Sequence, residues 1–322
     1  MIKDKIKKSS KKSFAQKLSQ TLNIPEDDIK NHYKLRKVIG LGQYGTVREG
    51  YSLGNPDEKV AVKILDLGSL SKTFNSICCE VSSLKQAKHP HIIKLLQCFI
   101  DEKSLYLVFE YIDGLDLSDY VTENTKIPEE KVKYILMQIC STIDYLHSIH
   151  ICHRDIKLDN IMVNPETFEI KLIDFGFATK FSDRERLKGK IGTPYYVAPE
   201  VLKGTYGKEC DMWSIGIMTY YMLVGDPPFN AESDNELFDI IIKYPVPYYK
   251  RHWSGVSNNC TEFVQRLLVK DPEKRMKSQE ALKHPWLGLA IKSENEGYEK
   301  LNSTQELTLG QAEEEWHCVA SC

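Results

Sequence analysis

No two of the nine cysteines have the Cys-x-x-Cys spacing of a zinc site. Their odd count, scattered through apolar stretches (Cys78, Cys79, Cys98, Cys140), is not a disulfide framework. Reduced thiols are therefore expected. Long hydrophobic runs are missing too. The longest, around Met212 to Val224, is interrupted by Ser214, Thr219 and two tyrosines, too short to span a bilayer, and reads as a buried helix. The start, Met1-Ile2-Lys3, has no apolar signal core. Residue 2 is not the glycine that myristoylation requires, and Cys318 stands one position too early for a prenylation box. No segment repeats. These absences point to a soluble, cytoplasmic protein, with any membrane attachment peripheral.

What is present suits a globular protein. The 322 residues are 42% hydrophobic, enough for a sizeable core in one large domain or two modest ones. The formal net charge of −2 hides two ends of opposite sign. Residues 1–20 hold seven lysines against one aspartate, a charge of +6, with Ile2, Ile6, Phe14, Leu18 and Leu22 at roughly helical spacing. Two readings stay open: a solvated arm, or a basic amphipathic helix for an anionic membrane or partner surface. Residues 288–322 hold seven glutamates against two lysines, a charge of −5, and have no clear period. They read as a flexible acidic tail.

Between the ends, alternation with glycine punctuation from Tyr33 to Leu65 predicts antiparallel strands. Phe74 to Ala87 reads as a helix stopped by His89-Pro90. Two apolar runs follow, Ile92–Phe99 and Ser104–Glu110, the second a buried strand. Beyond Gly114 the chain turns helical. Pro128-Glu129-Glu130 opens a long amphipathic helix to about His147, with proline and acids where a helix N-terminus favours them.

Gly40-Leu41-Gly42-Gln43-Tyr44-Gly45-Thr46-Val47 has the spacing of a phosphate-covering loop. Its glycines allow close backbone approach to a nucleotide. It lies between two strands, whereas a dinucleotide loop joins a strand to a helix. Val60-Ala61-Val62-Lys63 then ends an apolar strand in a lysine. Glu80 is the only acid between Asp66 and Asp101, so it is the local counter-charge for a lysine pointing inward. His153-Arg154-Asp155-Ile156-Lys157-Leu158-Asp159-Asn160 follows the long helix. Asp174-Phe175-Gly176 comes nineteen positions after Asp155, and Ala198-Pro199-Glu200 closes the stretch.

In this order these motifs resemble the signatures of the eukaryotic protein kinases, over about residues 33–287. Lys157 and Thr193 look like the serine/threonine branch. Gly192–Ser214, Leu267–Arg275 and His284-Pro285-Trp286 resemble the calcium/calmodulin-dependent group, and especially the catalytic domain of calcium-dependent protein kinases. The resemblance implies an α+β, two-lobed fold. A small lobe, about 33–110, would be a five-stranded antiparallel sheet with one helix. A mainly helical large lobe, about 113–287, would follow, between the basic extension 1–32 and the acidic tail 288–322.

It also implies ATP and Mg²⁺ as cofactors, and protein serine or threonine as acceptor. By this resemblance Asp155 is the catalytic base, Lys157 neutralises the γ-phosphate, and Lys63, held by Glu80, binds the α- and β-phosphates. Asn160 and Asp174 hold Mg²⁺. Gly40, Gly42 and Gly45 cover the phosphates, while Glu110 and Ile112 form the hinge that pairs with adenine. Val47, Ala61 and Met162 sandwich the ring, with Phe109 at the back. Asp116, aided by Asp159, faces a basic residue three positions before the acceptor, and Tyr221 stands where some basophilic relatives place another acid. Arg275 pairs with Glu200, Asp211 orients the catalytic loop, and Leu84, Leu95, His153 and Phe175 form an apolar column. A pseudokinase or docking scaffold is the alternative. It would lack one of Lys63, Glu80, Asp155, Asn160 and Asp174, and all five are present.

Two features depart from the relatives. No D-x-[DN]-x-[DN]-G loop occurs and only 35 residues follow Leu287, so direct calcium binding is not expected. The position three before Gly192 is Gly189, which has no hydroxyl to phosphorylate, and Ser182 is the only Ser or Thr between Lys180 and Gly192. Activity without activation-segment phosphorylation is therefore expected. Thr193 would bond to Asp155 and Lys157, and Arg154 to carbonyls or to an acid such as Glu185.

Overall fold

The computed structural model describes residues 14–25, 27–42, 45–68, 74–182 and 184–288. Ile2, Ile6, the loop tip Gln43-Tyr44 and the acidic tail lie outside them. The sheet of the small lobe comprises β1 (Tyr33–Gly42), β2 (Gly45–Ser52), β3 (Lys59–Asp66), β4 (Leu95–Ile100) and β5 (Ser104–Glu110). Its spatial order is β1-β2-β3-β5-β4, every pairing antiparallel. Period-two alternation splits β3 between two faces. Val60 and Val62 join a small outer cluster with Ile29, Tyr33, Phe99 and Val108, which leaves Ala61 and Lys63 on the opposite face. The helix α2 (Phe74–Gln86) follows β3.

Residues 92–94 are not strand, although they continue the apolar run. Their backbone ties across to the large lobe: Ile93 N–H donates to Leu172 O at 3.0 Å, and Leu172 N–H to His91 O at 2.9 Å. The ladder with β5 begins at Leu95, preceded by a single bond from Glu110 N–H to Lys94 O at 3.1 Å.

Residues 14–24 are also not a solvated arm. A helix, α1, runs through 14–21 and ends in a Schellman turn. Asn23 takes the left-handed conformation (φ 48°), and Ile24 N–H donates to Ser19 O at 2.9 Å. The turn folds Ile24 inward. Ala15, Leu18, Leu22 and Ile24 are buried in the same cluster as Ile77, Cys78, Val81 and Leu84 of α2. Of the apolar positions suggested for an anchor, Phe14, Leu18 and Leu22 are thus covered by the protein itself.

The large lobe is arranged round α4 (Glu129–Ser148) and α6 (Glu209–Val224). Ahead of α4 come β6 (Leu115–Asp116) and α3 (Leu117–Asn124), and between α4 and α6 run the short strands β7 (Ile151–Cys152), β8 (Ile161–Val163), β9 (Ile170–Leu172) and β10 (Thr179–Lys180). In the activation segment β11 (Leu187–Lys188) pairs with β12 (Thr205–Tyr206), just past α5 (Pro199–Leu202). The helices α7 (Asp234–Lys243), α8 (Asn258–Leu267), α9 (Ser278–Leu282) and α10 (Pro285–Gly288) complete the lobe. The α+β, two-lobed architecture is the one expected. Among the described residues no helix is long and apolar enough to cross a membrane.

Candidate active site

The cleft between the lobes gathers the motif residues from several strands, from α2 and from their loops. Gly40 and Gly42 lie on β1, and Gly45 and Val47 on β2, with Gly42 paired to Gly45. Gly45 admits no side chain, because a Cβ there would lie 1.9 Å from the Ile64 carbonyl oxygen. Ala61 on β3 stands opposite Phe109 on β5. Met162 on β8 is half-buried, as is Ile112 just beyond β5. Glu110, the last residue of β5, accepts from Lys171 Nζ at 2.8 Å and from Lys94 N–H at 2.9 Å, so its side chain ties the two lobes at the hinge.

Lys63 Nζ sits between two carboxylates, Glu80 Oε1 at 2.8 Å and Asp174 Oδ1 at 3.0 Å. Burial works against its charge, but Glu80 and Asp174 outweigh that and raise its pKa above the usual lysine value. Glu80 is 1% exposed and Asp174 41% exposed, so Asp174 is the member open to the cleft.

Asp155 is the most constrained carboxylate of the large lobe's loop. Oδ1 accepts from Thr193 Oγ1 at 2.7 Å, and Oδ2 from Asn160 Nδ2 at 2.9 Å and Lys157 Nζ at 3.2 Å. Lys157 also donates to Thr193 Oγ1 at 2.9 Å. Thr193 therefore holds the base and its lysine together, as anticipated. Asn160 gives its amide nitrogen a second time, to Asp155 O at 2.7 Å. Its amide oxygen is thus turned away from the base.

The loop's backbone is fixed by Asp211, in the first turn of α6. It accepts from the N–H of His153 at 3.0 Å, the N–H of Arg154 at 2.7 Å and His147 Nε2 at 2.9 Å. Burial alone would raise its pKa, but the bond from His147 and the charges and N–H bonds around it hold the carboxyl below the usual range. His147 was not anticipated from sequence: it closes the last turn of an amphipathic helix and looks like ordinary surface there.

Arg154 is paired in part as expected. It adopts φ 67°, and its Nε donates to Phe177 O at 2.7 Å and its Nη1 to the Tyr206 hydroxyl at 3.2 Å. The first is one of the carbonyls expected. Glu185 is not the acid: its N–H turns back to Ser182 O. Tyr206 takes that place because the β11–β12 ladder carries it under the segment, pairing it with Leu187. Glu200 and Arg275 form a buried two-point pair, Nη1–Oε1 at 2.5 Å and Nη2–Oε2 at 2.9 Å. The column Leu84, Leu95, His153 and Phe175 lies in the interior, His153 and Phe175 edge to face at 5.1 Å.

Asp116 begins α3. Its pKa is raised by burial first and then by the neighbouring charges of Asp119 and Asp159, so three acids lie close together. Tyr221, on α6, is half-buried. Asn160 and Asp174 supply hard oxygen donors of the kind Mg²⁺ takes, and the Asn160 amide oxygen, left free of Asp155, and the exposed Asp174 fit that use.

Residues 33–287 match the protein kinase domain family. The chain is 38% identical to calcium-dependent protein kinase 3 of Plasmodium yoelii yoelii, over 80% of its own length and 48% of the relative's. To myosin light chain kinase A of Dictyostelium discoideum it is 34% identical, over 81% of this chain and 89% of the relative. To calcium/calmodulin-dependent protein kinase type 1 of Macrobrachium nipponense it is 34% identical, over 83% and 78% respectively. The chain spans about half the length of several of the curated relatives it matches, the Plasmodium yoelii yoelii kinase among them. By fold, by the order of its motifs and by these matches, the chain belongs to the serine/threonine protein kinases, as a catalytic domain of the calcium/calmodulin-dependent kinase group.

Proposed function

We propose that the chain is an active kinase that transfers the γ-phosphate of ATP to serine or threonine hydroxyls with arginine or lysine three residues upstream. The observation that carries the catalytic part is the joined set Glu80–Lys63–Asp174 and Asn160–Asp155–Lys157–Thr193. Phosphoryl transfer needs placed charge more than covalent help. Lys63 is placed for the α- and β-phosphates and Lys157 for the γ-phosphate. The Asp155 carboxylate orients the acceptor hydroxyl and takes its proton as the new O–P bond forms, while ADP leaves with the electrons of the broken bond. Mg²⁺, held by Asn160 and Asp174, would offset phosphate charge. A pseudokinase or docking scaffold would need a missing or misplaced member of this set.

The basophilic part rests on the nearness of Asp119 and Asp159 to Asp116, whose pKa is raised first by burial and then by those two charges. A bound guanidinium would offset those charges. The test is a degenerate peptide library with ATP and Mg²⁺. Wild-type enzyme selects basic residues three positions upstream, and Asp116→Asn weakens that selection by about tenfold, the scale of one charge-assisted contact. Acidic or proline-directed selection rejects the reading. The lysines of residues 1–12 suit an anionic membrane surface, by charge alone. Salt-sensitive binding of the full chain to phosphatidylserine vesicles supports that role, and no binding at low salt removes it.

A further inference from the structure

The Lys63–Glu80 contact depends on where α2 sits, and α1 grips α2 at both ends. At the start of α2 the Phe14 ring meets the Phe74 ring edge to face, centroids 5.8 Å apart, and Lys17 Nζ lies 5.2 Å from the centroid of the Phe74 ring. Near the end, Lys85 Nζ donates to Leu22 O at 2.6 Å, capping the last turn of α1 where a helix presents its negative pole. Between the grips Leu18 is fully buried. Phe74 and Lys85 are about 16 Å apart along the helix at the rise of an α-helix, and Glu80 rides between them. A rod held at two separated points resists both tilt and rotation. Those are the motions that would withdraw Glu80 from Lys63.

We propose that residues 14–24 are a positioning brace for catalysis, holding α2 so that Glu80 stays on Lys63. The chain thereby carries on its own N-terminal side the support for its small-lobe helix. The inference rests on the role given above to the Lys63–Glu80 pair. It differs from plain stabilisation in its consequence. Releasing the brace frees α2 and leaves the large lobe, with Asp155 and the acids beside Asp116, intact.

The test uses the full chain. Leu18→Glu, with circular dichroism confirming the fold, lowers kcat by roughly ten- to a hundredfold, as a misplacement of about 1 Å does. The KM for peptide stays within about twofold, because the acids beside Asp116 are untouched. Leu18→Met retains wild-type kcat. In a Glu80→Gln background Leu18→Glu costs nothing further, since both changes act through one contact. Lys85→Met loosens one grip and gives a smaller fall, and it carries the same double-mutant test if Leu18→Glu fails to fold. A kcat within about twofold of wild type for folded Leu18→Glu overturns the brace. So do losses that multiply with Glu80→Gln. A Glu80→Gln enzyme with wild-type kcat removes the Lys63–Glu80 role itself, and the brace with it.

Discussion

Two helices each lend one acid to the proposed catalytic machinery, α6 through Asp211 and α2 through Glu80, and they are held in opposite ways. Of the 16 residues of α6, 14 are buried, so it cannot shift without repacking the lobe. Asp211 correspondingly bonds to backbone N–H groups, which makes it part of a frame. Of the 13 residues of α2 only six are buried, and Glu80 reaches a flexible side chain. The large-lobe acid is set by the core. The small-lobe acid is set by whatever leans on its helix, here α1 and the sheet.

The steepest effects lie where both supports converge. Asp155→Asn and Asp174→Asn each lower peptide phosphorylation by about 10² to 10⁴-fold while the protein stays folded, as loss of a proton acceptor or a placed charge does. Near-normal turnover with an intact circular-dichroism spectrum would refute the site. The next test separates the helices. Asp211→Ala leaves buried N–H groups unpaired and destabilises the protein by about 3 kcal/mol, so its Tm falls by several degrees. Glu80→Gln leaves Tm nearly unchanged and lowers kcat by about 10²-fold. Equal Tm losses in a thermal melt would break the contrast between frame and lever.

A pH titration sharpens it. The folded pKa of Asp211 lies below that of the unfolded carboxyl, about 3.9. Its contribution is therefore complete above that value and is lost as pH falls through the lower folded one. Wild-type stability drops more steeply below about pH 4 than that of Asp211→Asn, by urea melts at stepped pH. Identical slopes would mean the acid is not held as described. The smallest effect concerns the activation segment, where Arg154 already has Phe177 O and Tyr206. Enzyme treated with phosphatase, with residues 174–200 verified unmodified by mass spectrometry, keeps its kcat. Tyr206→Phe reduces it by only about threefold, one modest hydrogen bond's worth. Activity that returns only on rephosphorylation of Ser182 or Thr193 would contradict this.

The sequence made the chemistry legible because the chemistry dictates residue types. Lys63 with its single nearby acid, and Thr193 with Asp155 and Lys157, needed no coordinates to be paired, whereas the Asn160–Asp155 and Lys63–Asp174 bonds did. The two lobes and the antiparallel sheet followed from alternation and turn residues. What stayed hidden were choices of partner made at long range. Arg154 meets a hydroxyl 52 residues on, because an intervening ladder folds back to deliver it. The helical spacing of Phe14, Leu18 and Leu22 was visible, but an amphipathic face does not say what covers it. The run at 92–94 had the composition of strand and was claimed instead by bonds to β9. Apolar character is a matter of each residue, whereas pairing belongs to the fold.

The tie at the hinge has a mechanical consequence. Glu110 is held by Lys171 of β9 and by the N–H of Lys94, and the His91–Ile93 strip is stitched to Leu172. The cross-lobe bonds among them meet at two adjacent residues, Lys171 and Leu172, and so join the lobes along one short edge, like stitching along a book's spine. Opening must then swing about that edge, with least travel at the adenine end and most at the tip of the glycine loop. A nucleotide would leave phosphates first through the widening mouth, its ring the last part to lose contact. Added salt, by loosening the Glu110–Lys171 stitch, would soften the spine and free the lobes to twist as well as gape.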